Sequence, residues 1–322
     1  MEDLEKLKKI LNEPITINNL NRINDYFVRY LFSHTGNEYI ALHFINSVFK
    51  DVDFETFSKI EILNPFNIAE NYDEKESIAP KADSRLDIKA TTENGITVLI
   101  EIQARGNEDF VKRSLFYWAY NYTSSLNRGG IYDELKAVIS INITNFILTD
   151  EVHSCYVLKE LNNNRILTDH CQLHFIELPK FNLTDITKVK DFEKLNKEFI
   201  SWVKFFKGED MSILIKENTI FEEVEKKCNT FVNDSPVMDK YKKREIDSYF
   251  FDKSLELDLK KAKEQGLAEG RSEGIEIGIE KGREEGEINK SIEIAKGMKN
   301  KNIDIKLISE LTGLSIDIIE KL

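Results

Sequence analysis

Apolar residues at helical spacing open the pattern: Ile23, Phe27 and Leu31, then Leu42, Ile45, Val48 and Phe49. Gly36 separates the two groups, so residues 19–50 are predicted as two helices joined by a turn. Residues 61–82 hold Pro65 and Pro80 among scattered polar residues and are read as a connecting loop. The periodicity then changes. Arg85–Ala90 alternates around Leu86 and Ile88, Glu93-Asn94-Gly95 has turn chemistry, and Ile96–Gln103 reads ITVLIEIQ. This predicts an antiparallel hairpin whose second strand is largely buried. An aromatic-rich helix follows over residues 109–127, with Phe110, Phe116, Tyr117, Trp118, Tyr120 and Tyr122. Leu135–Ile143 and Leu173–Leu178 supply two further strands. The order of helices, hairpin, helix, strand and later strand implies one α/β domain. Residues 183–262 return to helical spacing, with Phe199, Trp202, Phe205 and Phe206 on a core face.

Beyond residue 262 the chain changes character. Gly266, Gly270, Gly274, Gly278, Gly282 and Gly286 recur every fourth residue in a segment rich in Glu, Lys and Ile. Each glycine costs a helix interior about 1 kcal/mol relative to alanine, so the six together cost roughly 5–6 kcal/mol. Close approach of another helix along the glycine stripe would offset that cost. A repeat of four overshoots the helical period of 3.6, so a pair of such helices is expected to supercoil right-handedly. A flexible, partly helical linker is the alternative. The last residues, IDIKLISELTGLSIDIIEKL, predict two short helices around Thr312-Gly313 with Ser315 as an N-cap. They resemble half of a helix-turn-helix, but the second helix carries only Lys321 as a base, which favours packing or dimer capping over reading DNA bases.

Composition narrows the class. The chain has 322 residues, 41% of them hydrophobic and 10% aromatic, which supports a sizeable folded core. A net charge of -12 argues against a surface coated in basic patches. Any phosphate must then be received by local Lys and Arg groups and bound metal. Cys155, Cys171 and Cys228 form no CxxC pair, which fits buried thiols in a reducing cytoplasm. No run approaches the roughly 20 apolar residues of a membrane span, and MEDLEKLKKI lacks a signal peptide's apolar stretch. A cytoplasmic protein is expected.

The hairpin carries the candidate chemistry. Asp87 lies on its first strand, and Glu101 and Gln103 lie two apart on the second, so the latter share one face. A carboxylate at the end of the apolar run Ile96–Ile100 is costly unless paired or metal-bound. Two carboxylates converging across a hairpin repel unless a cation lies between them. One or two Mg²⁺ ions on such hard oxygen ligands can activate water and neutralise a phosphate. Pairing of Asp87 and Glu101 with Lys81, Arg85 or Lys89 is the structural alternative.

Residues 81–143, from KADSRLDIKATTENGITVLIEIQ through FVKRSLFYWAYNYT to LKAVISINI, resemble the recombination-promoting nuclease and transposase-like family of the PD-(D/E)XK nuclease superfamily. NDYFVRYLF upstream and LHFIELPKF downstream resemble further blocks of that family, so the likeness runs from about residue 20 to about 180. The glycine-rich tail is also similar to tails in such proteins. The resemblance implies a restriction-endonuclease-like core, a mixed central sheet flanked by helices, with a long helical C-terminal tail. It implies Mg²⁺, with Mn²⁺ as a substitute, held by Asp87, Glu101 and the backbone carbonyl of Ile102. Gln103, where the superfamily usually has lysine, would orient the attacking water or a phosphate oxygen. Asp25 matches an acidic position on the first helix and is a further ligand candidate, with a plain helix-start role for Asn24 or Asp25 as the alternative. Arg113 and Tyr117, four apart on a helix, share a face that can flank a phosphate, with packing or acid pairing equally open. Lys81 and Arg85 are candidate phosphate contacts.

The expected organisation is a nuclease-like domain over residues 1–182, a helical extension over 183–262 packed on it, and an oligomerisation element over 263–322. The expected function is Mg²⁺-dependent DNA endonuclease activity of low sequence specificity, tied to recombination or mobile elements, in a homodimer. The competing expectation is a catalytically weak nuclease-fold protein that serves as an oligomeric interaction module. His170 and His174 bracket Cys171, but on a strand they would share a face about 13 Å apart, too far for one zinc ion.

Overall fold

Two amphipathic helices start the fold in the computed structural model, which describes residues 13–66, 88–106, 109–126, 129–185 and 189–322. Helix α1 spans Asp25–Ser33 and α2 spans Glu38–Lys50. Asn24 caps α1 by accepting from Phe27 N, and Gly36 turns the chain at φ 85°. That value lies in the left-handed region that glycine enters without a Cβ clash.

Six strands form one mixed sheet: β1 (Ile60–Ile62), β2 (Ile88–Thr92), β3 (Thr97–Gln103), β4 (Val138–Thr144), β5 (His153–Lys159) and β6 (Ile166–Glu177), in the order β1-β2-β3-β4-β6-β5. The hairpin β2–β3 is antiparallel, as its turn chemistry predicts, with Gly95 at φ 78°. β3, β4 and β6 run parallel to one another, while β1 and β5 pair antiparallel at the edges. The central strands are buried on both faces, which is why TVLIEIQ and VISINIT read as near-continuous apolar runs. Helix α3 (Phe110–Ser124) covers one face.

The other face meets α1, α2 and the helices α4 (Lys197–Phe206), α5 (Met211–Glu217) and α6 (Ile220–Asn233) in one core. Trp202, Phe199, Phe205, Phe221 and Phe231 are fully buried there. Each such side chain contributes about 1.5–3 kcal/mol by burial. The predicted core face of residues 199–206 is therefore the seam that joins these helices to the sheet.

Helix α7 spans Ser235–Lys299, so the glycine-rich segment is helical. The chain divides into two compact units, residues 1–248 and 249–322. That boundary precedes residue 263, where the composition shifts. In the second unit, α8 (Ile305–Thr312) and α9 (Ile316–Lys321) bury Ile308, Leu314 and Ile319 with Ala295 of α7. Gly313 ends α8 at φ 71°, and Ser315 stands at the N-cap of α9, as the sequence predicts.

Two expectations fall short. β1 lies where a loop begins in the sequence reading, and its three residues are too few to show a period. His170 and His174 point to opposite faces, not the same one. His170 meets Tyr122 of α3, whereas His174 stacks on His153 and lies against Phe49. The cause is an irregularity in the β5–β6 ladder, where Val157 pairs with Gln172 and the next residue, Leu158, pairs with Thr168.

Candidate functional site

β3 sends alternate side chains to opposite faces of the sheet. Ile100 and Ile102 join the large core. Leu99 packs instead with Tyr117 of α3 and Val138 of β4. Glu101 and Gln103 continue the Leu99 face towards the end of the strand. Arg113 precedes Tyr117 by one turn of α3, so it arrives above Glu101 and Gln103. Its Nη2 donates to Glu101 Oε1 at 2.8 Å and to Gln103 Oε1 at 2.7 Å. Gln103 Nε2 donates to the carbonyl of Arg105 at 3.0 Å, which fixes the direction of the amide. Opposite Glu101 on β4 is Asn142, held by Ser114 Oγ at 3.1 Å and by the His174 carbonyl at 3.0 Å. A rigid polar floor therefore lies beside the carboxylate.

Glu101 is 7% exposed. Burial pushes its carboxyl above the usual range, and the charge and hydrogen bond of Arg113 pull it part of the way back. Among the described residues, Arg113 engages Oε1 and no hydrogen bond reaches Oε2. Oε2 is not one of the fully buried polar atoms left without a partner, so it opens to solvent, where a second cation can reach it.

The predicted site residues separate into three groups. Asp87, Lys81 and Arg85 lie outside the described residues; Ile88, next after Asp87, pairs with Ile100, which directly precedes Glu101. Glu101, Ile102, Gln103 and Arg113 come together at the end of β3. Asp25 is the first residue of α1, which packs on β2 and β3. Its Oδ2 accepts from Arg244 Nη1 at 3.1 Å. Asn24, not Asp25, supplies the cap. For Arg113 and Tyr117 the sequence left packing and acid pairing open. Arg113 takes the acid, and Tyr117, 4% exposed, takes the packing role, so its ring offers no surface for a phosphate.

Several residues gathered here have no signal in the sequence. Arg105 Nη2 donates to the Ser248 carbonyl at 2.7 Å, and Glu245 Oε1 accepts from Asn21 and Asn24 at 3.0 and 2.6 Å. With Arg244 on Asp25, the first turns of α7 are tied to the start of α1 and the end of β3. These positions look like any charged helix face in YKKREIDS. A close contact also requires Gly106, where a Cβ would lie 3.0 Å from the Phe146 ring.

A second polar group lies deep in the core. Asp51 Oδ2 is 2.7 Å from His153 Nδ1, His153 Nε2 is 3.0 Å from His174 Nδ1, and His174 Nε2 is 3.7 Å from Cys155 Sγ. Asp51 Oδ1 also accepts from Asn196 N at 2.6 Å. Burial pushes the Cys155 thiol up to about 12, so it stays protonated and is no nucleophile at neutral pH. This chain ties the end of α2 and the start of α4 to β5 and β6. Among the described residues, no group of three or more His, Cys, Asp and Glu side chains is arranged to hold a metal ion. Glu101 is thus the one described carboxylate at the end of β3, and a metal there needs a further ligand.

A family model described as PD-(D/E)XK nuclease family transposase matches residues 22–266. That span reaches well past residue 180, through the helices α4–α6 and into α7. No curated protein and no solved structure matches the chain.

Proposed function

Because the chain belongs to the PD-(D/E)XK nuclease family of transposases, and its mixed sheet flanked by helices is consistent with the restriction-endonuclease-like fold, we propose that it is a Mg²⁺-dependent DNA endonuclease of low sequence specificity. The observation that carries this reading is Glu101, a buried carboxylate on the central strand with Oε2 uncommitted and Gln103 two residues on. Chain continuity supports Asp87 as its partner. Ile88, the residue after Asp87 in the sequence, pairs with Ile100, the residue before Glu101.

In this reading Asp87, Glu101 Oε2 and the Ile102 carbonyl would hold the ion, with Asp25 as a further ligand through water. Such hard oxygen donors suit Mg²⁺, and Mn²⁺ as a substitute. A bound divalent ion supplies Lewis-acid polarisation of the phosphate and a lowered pKa for water. Arg113 favours the ionised form of Glu101 against its burial and holds Gln103 by its carbonyl oxygen. The Gln103 amide has no charge of its own, so it positions a water or phosphate oxygen without acidifying it. Lys81 and Arg85 are proposed phosphate contacts. A role in recombination or mobile-element movement accords with the family, and residues 263–322 are proposed to form a homodimer that pairs two sites for cutting both strands.

Cleavage of supercoiled plasmid with and without Mg²⁺ tests the assignment. Wild type should nick or linearise it only with metal, and Asp87→Ala should lose at least 100-fold, a scale of about 3 kcal/mol in the barrier. Equal activity in both proteins would remove the assignment. One observation favours the second reading, a catalytically weak nuclease-fold interaction module: Arg113 already neutralises Glu101. A protein that binds neither Mg²⁺ nor Mn²⁺ at millimolar concentration would support it.

A further inference from the structure

The glycine-striped part of α7 carries a charge pattern that distinguishes its two sides. Successive residues on a helix are about 100° apart, so a residue three before a glycine and one three after it flank the glycine by about 60° on opposite sides. Residues three before the glycines are Lys263, Leu267, Arg271, Ile275, Ile279 and Arg283. This flank has three bases and no acid. Residues three after Gly266 through Gly282 are Glu269, Glu273, Ile277, Lys281 and Glu285. This flank is mainly acidic.

Among the described residues, nothing packs against the stripe. Beyond the neighbouring backbone of its own helix, a Cβ added at any of the six glycines would meet no atom of the described residues within 4 Å. Leu267, Ile275, Ile277 and Ile279 are all more than half exposed. The isoleucines cluster around Gly274 and Gly278, with charged residues above and below, as expected for the dry centre of a helix–helix contact with a polar rim.

We infer that this face binds a second copy of the same chain, with the two α7 helices parallel and in register. The inference rests on the reading of residues 263–322 as a homodimer element and adds its orientation. In a parallel pair related by a two-fold axis along the helices, opposite flanks face each other; in an antiparallel pair, like flanks do. Parallel pairing sets Arg271 against the partner's acidic flank, near Glu269 and Glu273. It also sets Ile275 and Ile279 against the flank that carries Ile277. Antiparallel pairing about the centre of the stripe sets Arg271 against Arg283 and Glu269 against Glu285. Arg283 meets Glu280 within its own helix at 3.0 Å, an exposed pair that leaves its charge on this flank. Like charges held opposite one another are destabilising, so the pattern selects against the antiparallel form.

The test uses the full chain with one cysteine placed towards an end of the stripe, Gly270→Cys or Gly282→Cys. Both positions lie away from the closest approach inferred at Gly274 and Gly278, and wild type is the control for the native thiols. Under mild oxidation each variant alone should give a disulfide-linked dimer. Cross-linking only when the two variants are mixed, or in neither case, would overturn the parallel register while leaving a dimer intact. Light scattering that finds wild type monomeric at tens of micromolar would instead overturn the dimer reading itself. Arg271→Glu should weaken dimerisation about tenfold, because two symmetry-related attractions become repulsions, and Glu269→Arg with Glu273→Arg in the same chain should restore it. Unchanged dimerisation of Arg271→Glu would show that the flank charges do not set the register.

Discussion

Glu101 and Arg113 are an incompletely balanced pair. The carboxyl is raised above 4.5 by burial, the largest influence, and Arg113 offsets only part of it. A raised folded value means that the native state holds this proton to higher pH than the unfolded chain does. Stability is therefore lost as pH rises through the window above 4.5. Glu101→Gln, which removes the buried charge and keeps an oxygen for Arg113, should raise the melting temperature at pH 7 in chelator by a few degrees. A fall in melting temperature would mean that the ion pair is net stabilising. His174 works in the opposite sense. Complete burial, and then the charge of His153, hold it well below 6.5, so the unfolded state takes the proton first as pH drops. Stability present above 6.5 should decline below it. Urea unfolding at pH 7 and pH 5 should show that decline, and His174→Gln should flatten it; parallel losses in both proteins would assign it elsewhere.

Elements with a strong period were legible in the sequence. The hairpin is legible because Gly95 and the alternation of β2 agree, and α3 because an aromatic-rich run separates the hairpin from the next strand. β5 was missed because an edge strand, HSCYVLK, buries little and shows no clean alternation. The face of His170 was misread because strand alternation fails across a ladder irregularity that leaves no sequence mark. At the site, Glu101 stood out as a charge within an apolar run, whereas its pairing with Arg113 depends on how α3 crosses β3, which spacing alone does not fix. The glycine stripe supplies a prediction at this scale. Gly274 has room for a Cβ, so Gly274→Ala should stabilise the isolated helix by about 1 kcal/mol. If two helices meet there, the same change should shift the protein towards monomer in sedimentation. A variant that dimerises more tightly would argue against close backbone approach.

The charge of the whole molecule limits how DNA can be bound. At -12 the long-range field repels a polyanion, so the proposed DNA binding would rest on a few local bases and on metal. The logarithm of the association constant should therefore fall with the logarithm of salt concentration with a slope of about −3 or shallower, since each phosphate contact contributes about −0.9. Asp87→Ala, used to prevent cleavage, makes this measurable by fluorescence anisotropy, and a slope of about −8 would reveal an extended basic surface. No described helix is long and apolar enough to cross a membrane. The family match over residues 22–266 joins the sheet, the helical layer and the start of α7 in one unit of descent. We propose that Glu101 holds a divalent ion, and electron paramagnetic resonance of bound Mn²⁺ reads this out. Wild type should bind Mn²⁺ at submillimolar concentration and Glu101→Gln should lose at least tenfold in affinity; equal binding by the two proteins would contradict the claim.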